Sequence, residues 1–447
     1  MSRKDYTAEL LKMEGFEIEK LEETEGEILL QISLERRPHS CKRCGTETDR
    51  VHDYRIRQVR DLELRGKPLR LLYRRRRYVC PACGKRFAEQ NDFVGRYMRF
   101  THRTGEKIME LLRRRSSMKD IARDTQTSVS GVQRVLRMTP VSRPQRLPEA
   151  VSFDEFKGNA GGQRFQCIVT DPLNRRVFDI LPDRTVATIQ EYLRSFPNRD
   201  EVKYVVMDMN RGFRDVAITF FPNAKIIIDR FHVVRFCTEA MENVRRNVQK
   251  LLPADQRRYF KRSRRLLLKH RDGLSDEDKA ALDVMLRFSD KLAQGYALKE
   301  AFYHFMAAPD RTEADRRLDF WLDACDRLRL PEFKDCRRML RNWRNFILNA
   351  FDVRLSNGFT EGCNNAIKTL KRTSFGYQNF SHFRKRILLS FSFTQHLTQS
   401  PFILQLHIAV GCRSAQPPEG IKKARSCERA ILKLTCSELP WPSPPAQ

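Results

Sequence analysis

The chain has 447 residues, which at roughly 100–200 residues per domain divide into two to four domains. Lys and Arg number 85 against 56 Asp and Glu, a net charge of +29, an excess that points to a polyanionic partner, nucleic acid first. Hydrophobic residues make up 40% of the chain, which excludes wholesale disorder, and no apolar run approaches the roughly 18 residues of a membrane span. The opening MSRKDYTAELLKMEGFEIEK lacks the apolar stretch of a signal peptide, so the expected location is the reducing cytoplasm, where disulfides are rare and the twelve cysteines stay as thiols.

Residues 1–35 form an acidic N-terminal segment that alternates like strands or a short helix. At Arg36 the charge changes sign. Residues 36–95 carry two knuckles, Cys41-Lys-Arg-Cys44-Gly and Cys80-Pro-Ala-Cys83-Gly. A two-residue gap lets both thiolates of a knuckle reach one tetrahedral ion, and two such pairs make a closed, structural Zn2+ site. The 35 intervening residues read as two strands, VHDYRIRQVRDLEL and PLRLLYRRRRYVC, and a hairpin would bring the knuckles together. His39 and His52 are substitute ligands, and four unrelated thiols are the alternative. The run Arg74 to Arg77 alternates across its strand, so it is either a solvated basic edge or a DNA contact using two of the four.

THRTGEKIMELLRRR has the apolar spacing of a helix, and SSMKDIARDTQTSVSGVQRVLRM reads as helix, turn, helix. Thr125-Gln126-Thr127 make the turn, Ser128 or Ser130 caps the second helix, and Val132, Val135 and Leu136 form its core face. Residues 101–140 are therefore a helix-turn-helix domain whose second helix presents Ser130, Gln133, Arg134 and Arg137 to a major groove, with a plain helical hairpin as the alternative. Residues 141–149 hold two prolines and no periodicity, and read as a linker.

From residue 150 the strand-like runs VSFDEF, FQCIVTD, RVFDIL, KYVVMD and AKIIID alternate with helical VATIQEYLRSF and RGFRDVAITFF, which predicts a mixed α/β sheet with helices packed on it. Asp154, Asp208 and Asp229 stand at or near the C-terminal ends of three of these strands. A buried carboxylate is costly unless paired, and a hard cation between several of them offsets that cost; each as a simple loop cap is the alternative. Residues from about 233 to 350 are helical and rich in Leu and Arg, an all-α insertion or separate domain. SNGFTEGCNNAIKTLKRTSFG then becomes a helix with Glu361, Asn365, Lys368 and Arg372 on one face and Cys363, Ala366, Ile367 and Leu370 on the other. A solvated stripe is the alternative for the polar face.

Taken together, CKRCG, CPACGKRF, SFDEFKG, VVMDMNRGF, FPNAKIIIDRFHVVR and SNGFTEGCNNAIKTLKRTSFGYQNFSHFRKRILL resemble the bacterial insertion-sequence transposases of the DDE class, in their ISL-type subgroup. The resemblance spans about residues 36–395. It implies a multidomain α/β protein: a ribonuclease-H-like catalytic domain over 150–399 with an all-α insertion, preceded by a zinc-binding β finger and a helix-turn-helix. It implies Asp154, Asp208 and Glu361 as a triad holding Mg2+ or Mn2+, with Asp229 and His232 (the D-x-x-H pair) in support. Lys368, seven residues after the glutamate, and Arg372 one turn on are then DNA contacts. Trp321 or Trp343 in the insertion could stack on a displaced base, with a core position as the alternative. The implied partners are double-stranded DNA, as terminal inverted repeats and target, and a second copy of the chain. The implied reaction is cutting to a 3′-hydroxyl that then attacks target DNA. The resemblance fades near Phe393, and residues 400–447 read as a poorly structured tail.

Two other readings compete. A DNA-binding regulator, or an inactive relic of a transposase, would use the finger and helix-turn-helix without catalysis. A structure-specific nuclease would cut without joining. All three carboxylates stand in their motif settings, which favours the transposase.

Overall fold

The computed structural model describes residues 11–254, 256–257, 264–353 and 355–391; the tail expected over 400–447 lies outside the described residues. Strands β1 (Phe16–Glu23), β2 (Ile28–Leu34), β5 (Val51–Leu64) and β6 (Lys67–Val79) form one sheet in the order β1-β2-β6-β5, and β7 (Arg86–Ala88) also pairs with β6. The small ladder of β3 (His39–Ser40) and β4 (Glu47–Thr48) sits at the first knuckle. β5 and β6 make the expected antiparallel hairpin, turned by Arg65-Gly66, both at positive φ. The acidic segment is not separate from the finger. Its Ile28, Leu30 and Ile32 are buried and run parallel to β6 opposite Leu69, Leu71 and Tyr73, so apolar alternation joins what surface charge divides.

The arginine run lies on an interior strand rather than at a sheet edge. β6 lies between β2 and β5, and each guanidinium is engaged at home. Arg74 pairs with Glu19 at 3.3 Å and lies over the Tyr54 ring. Arg75 donates to the Glu89 carbonyl at 2.8 Å, Arg76 to the Leu34 carbonyl at 2.5 Å, and Arg77 to Asp53 at 2.9 Å.

Three helices follow: α1 (His102–Arg113), α2 (Met118–Asp124) and α3 (Val129–Met138). Thr101, Ser117 and Ser128 cap them by accepting from the N–H groups of Thr104, Asp120 and Gly131, each cap contributing about 1 kcal/mol. Ile108, Leu112, Ile121, Val132, Val135 and Leu136 are buried between the three.

The second large sheet has the order β10-β9-β8-β11-β12, with β8 (Ala150–Phe156), β9 (Gln166–Asp171), β10 (Arg176–Leu181), β11 (Tyr204–Met207) and β12 (Lys225–Ile228). β8, β9 and β10 run antiparallel in sequence, whereas β11 lies parallel to both β8 and β12. One face buries Val151, Phe153, Val205 and Met207 against α4 (Val186–Arg194) and α5 (Arg211–Phe220). The helical segment comprises α6 (Arg230–Lys250), α7 (Arg264–Leu268), α8 (Asp276–Leu286), α9 (Asp290–Met306), α10 (Arg311–Leu328) and α11 (Lys334–Asp352). Its apolar side chains continue the same core as β8, β11, α4 and α5. The other face of the sheet packs Phe156, Ile168 and Ile180 against α12 (Gly358–Thr373) and α13 (Phe380–Phe391).

α13 also ties this unit to the helix-turn-helix. Buried Arg386 donates to the carbonyls of Arg114 and Ser116 at 2.8 and 2.6 Å, and Lys385 to those of Arg137 and Thr139 at 2.6 and 3.0 Å. No helix among the described residues is long and apolar enough to cross a membrane.

Candidate active site and zinc centre

Strand register builds the acidic site. Phe153, Met207 and Ile228 lie side by side across β8, β11 and β12, and an aspartate follows each: Asp154 within β8, Asp208 just past β11 and Asp229 just past β12. The two-residue period of β8 sends Val151 and Phe153 into the α4–α5 core and turns Ser152, Asp154 and Phe156 toward α12. There Asn364 donates to Asp154 Oδ2 at 2.7 Å, and the Glu155 N–H donates to Asp154 Oδ1 at 2.7 Å.

A buried polar network fastens the start of α12 to the sheet. Asp229 Oδ1 accepts from the Asn357 N–H at 3.1 Å, Asn357 Oδ1 accepts from the Ser152 hydroxyl at 2.6 Å, and Thr360 bonds Thr170 at 2.7 Å. Glu361 follows on the exposed face of α12, with Asn365, Lys368 and Arg372. His232, on the first turn of α6, brings Nε2 to 3.1 Å from Asp208 Oδ1, but not in hydrogen-bonding geometry, so that oxygen is buried without a hydrogen bond.

The electrostatics are unfavourable for the carboxylates alone. Burial, then the charge of Asp208, pushes Asp154 up to about 7. Burial, then Asp229, Glu155 and Glu361, pushes Asp208 up to about 7. Crowded carboxylate oxygens, one of them without a partner, are the donor set that suits a hard divalent cation. The carboxylates are more widely spread than a closed cage, since among the described residues only the four cysteines gather within 4.8 Å of one another.

Cys41, Cys44, Cys80 and Cys83 form that gathering. The sulfurs of Cys41 and Cys83 are 3.6 Å apart, those of Cys44 and Cys80 3.4 Å, and those of Cys44 and Cys83 3.5 Å. A zinc tetrahedron with 2.3 Å bonds has edges of about 3.8 Å, so the set fits the ion. Gly45 and Gly84, at φ 78° and 66°, close each knuckle by donating to the carbonyls of Cys41 and Cys80 at 2.9 and 3.0 Å. Thr46 beside Cys44 holds its thiol down to about 6, toward the thiolate form a metal needs. His39 packs against Tyr78 with the rings tilted by 50°, and His52 faces Asp53; neither joins the cluster.

On α3, Ser130 and Arg137 are exposed and Gln133 is half-buried. Arg134 instead turns back to the Tyr97 carbonyl. Trp321 is fully buried, its indole N–H donating to the Leu298 carbonyl at 2.8 Å, so it is a core residue. Trp343 is also a core residue, buried at 6% exposure, and borders a cavity of about 290 Å3 with Met209 (the residue after Asp208), Phe236 and Arg338. Sequence reasoning missed Asn364, Asn357 and Ser152. The only sequence signal for Asn364 is a polar residue on the helix flank between the two stripes.

Residues 151–387 match a family model described as a transposase, residues 37–83 the zinc-finger of transposase IS204/IS1001/IS1096/IS1165, and residues 89–138 the helix-turn-helix domain of transposase family ISL3. A transposase for insertion sequence element IS1001 from Bordetella parapertussis is 28% identical over 248 residues, covering 54% of this chain and 61% of its own length. A transposase for insertion sequence element IS1557 from Mycobacterium tuberculosis is 25% identical over 241 residues, 48% of this chain and 54% of that protein. A protein from Lactococcus lactis named ATP-dependent protease is 32% identical over 111 residues, a stretch covering only 24% of this chain. The chain thus spans about 61% of the IS1001 relative's length. With a catalytic-region model matched over more than half of its residues, the chain belongs to the ISL3 family of transposases.

Proposed function

We propose that this chain binds the ends of an insertion sequence, cuts them and joins them to target DNA, with Asp154, Asp208 and Glu361 holding two divalent ions, magnesium in the cell. The observation that carries the reading is the row of aspartates across three adjacent strand ends, faced by the helix that bears Glu361. The strand order, with β8 between antiparallel β9 and parallel β11 and only β9 running against the other four, supports a ribonuclease-H-like fold.

When bound, such ions activate the attacking oxygen and stabilise the leaving one. The remaining work belongs to the chain. Asn364 and the Glu155 N–H aim the Asp154 carboxylate. Asp229 holds the first residue of the α12 turn and so places Glu361, while His232 stands beside Asp208. Lys368 and Arg372 take phosphates along the exposed face of α12. On α3, Ser130, Gln133 and Arg137 read the major groove and Arg134 braces the helix. The four thiolates hold a structural zinc. Two copies act together, because two DNA ends must meet.

The test uses linear DNA carrying the gene's own flanks, a second DNA and magnesium. Covalent joining of flank 3′ ends to the second DNA is the expected result. Cutting without joining replaces transposase by nuclease, and binding without cutting replaces it by regulator.

A further inference from the structure

Helix α12 closes on a cap filled by an unfavourable residue. The Gly376 N–H donates to the Lys371 carbonyl at 2.9 Å and the Phe375 N–H to the Arg372 carbonyl at 3.2 Å, the bonding pattern of a helix end whose turning residue is left-handed. Glycine suits that position because it has no Cβ to clash. Here Phe375 occupies it, at φ 56°, and glycine comes one residue late, as Gly376. Phe375 is also 94% exposed, the most exposed large hydrophobic side chain among the described residues. Among the described residues its ring buries almost nothing and its backbone is strained, so packing against them does not account for an aromatic there.

The surroundings indicate what the ring meets. Glu361, Lys368 and Arg372 share one exposed face of α12. At a rise of 1.5 Å per residue, Lys368 lies about 10 Å, Arg372 about 16 Å and Phe375 about 20 Å beyond Glu361 along the helix. A cationic line that leaves the carboxylates and ends in a bare aromatic complements a duplex: phosphates along the line, then a base step for the ring.

We propose that Phe375 is a wedge that enters the DNA duplex about six base pairs from the phosphodiester being cut, at 3.4 Å per base pair, unstacking one step and kinking the helix. The proposal rests on the reading of Asp154, Asp208 and Glu361 as the DNA-cutting site.

The experiment uses the full chain and duplexes of the gene's flanking sequence, with 2-aminopurine at successive positions about three to nine base pairs from the mapped cut, the window that brackets the helix length. Its fluorescence rises when it is unstacked. Wild type should give a several-fold rise at one or two adjacent positions. Phe375→Ala should lose the rise while still binding, and Phe375→Trp should keep it. Phe375→Gly should lose it and melt at or above the wild-type temperature, since it relieves the strained cap. An equal rise with Phe375→Ala, a cut without any rise, or a Phe375-dependent dimer formed without DNA overturns the wedge. Cutting is read on the same samples by gel. Absence of any cut removes the wedge and the function it rests on together, whereas a cut without a rise removes the wedge alone.

Discussion

Replacing Asp208 with asparagine should stabilise the magnesium-free protein above pH 7 and lose that effect as pH falls toward 4. Its side chain is 23% exposed, and burial followed by Asp229, Glu155 and Glu361 raises its pKa from 3.8 to about 7. The folded carboxyl thus keeps its proton to about pH 7, whereas the unfolded chain releases it near 3.8. Between those values the folded state binds more protons, so stability falls as pH rises through the window and the full penalty stands above it. About three pKa units at 1.36 kcal/mol each set a ceiling near 4 kcal/mol. Solvent screening at the exposed quarter, and the repulsion shared with Asp154, reduce the expected gain to about 2 kcal/mol. The assay is urea unfolding of both chains at pH 4.5 and 8, with zinc retained and magnesium omitted. Adding magnesium at pH 8 should then stabilise wild type and leave Asp208→Asn nearly unchanged. A gap that ignores pH, or a less stable Asp208→Asn at pH 8, would refute the electrostatic account of the site.

Other expectations follow from the same geometry. Wild type should carry one zinc per chain by elemental analysis and Cys80→Ser much less; a metal-free wild type with its knuckles intact would contradict the cluster in which Cys44 and Cys80 lie 3.4 Å apart. Arg386→Met removes the donor to the Arg114 and Ser116 carbonyls, so amides in the α1–α2 turn should exchange at least about tenfold faster, with unchanged exchange counting against that tie. Lys368→Ala should lower the salt dependence of DNA binding by about one unit of slope, whereas Arg134→Ala, whose guanidinium is held by Tyr97, should leave the slope unchanged.

The features legible in the sequence are local ones. Cysteine spacing, a serine cap and an aspartate at or near a strand end each act within a few residues, and the hairpin between the knuckles, the cap at Ser128 and the five strands of the second sheet appear as read. What escaped was set by partners distant in the chain. The parallel pairing of β2 with β6 leaves no local mark, and the change of charge at Arg36 concealed it. The arginine run reads as a solvated edge or a DNA contact because its partners, Glu19, Leu34, Asp53 and Glu89, lie on other strands or beyond the sheet. The aspartates were visible singly, but their common level across β8, β11 and β12 depends on register. Asn364 fell between the polar and apolar stripes of α12, and only the position of Asp154 gives it a purpose.

The central claim is that three carboxylates from β8, β11 and α12 act as one metal-dependent cutting centre. It is tested most directly by magnesium-dependent cleavage of the gene's flanking DNA with Asp154→Asn, Asp208→Asn and Glu361→Gln, each shown to fold and to bind that DNA. Each single substitution should lower the cleavage rate by about a thousandfold or more while binding stays within a fewfold of wild type. Near wild-type cleavage in any one of the three would remove that residue from the centre and contradict the account.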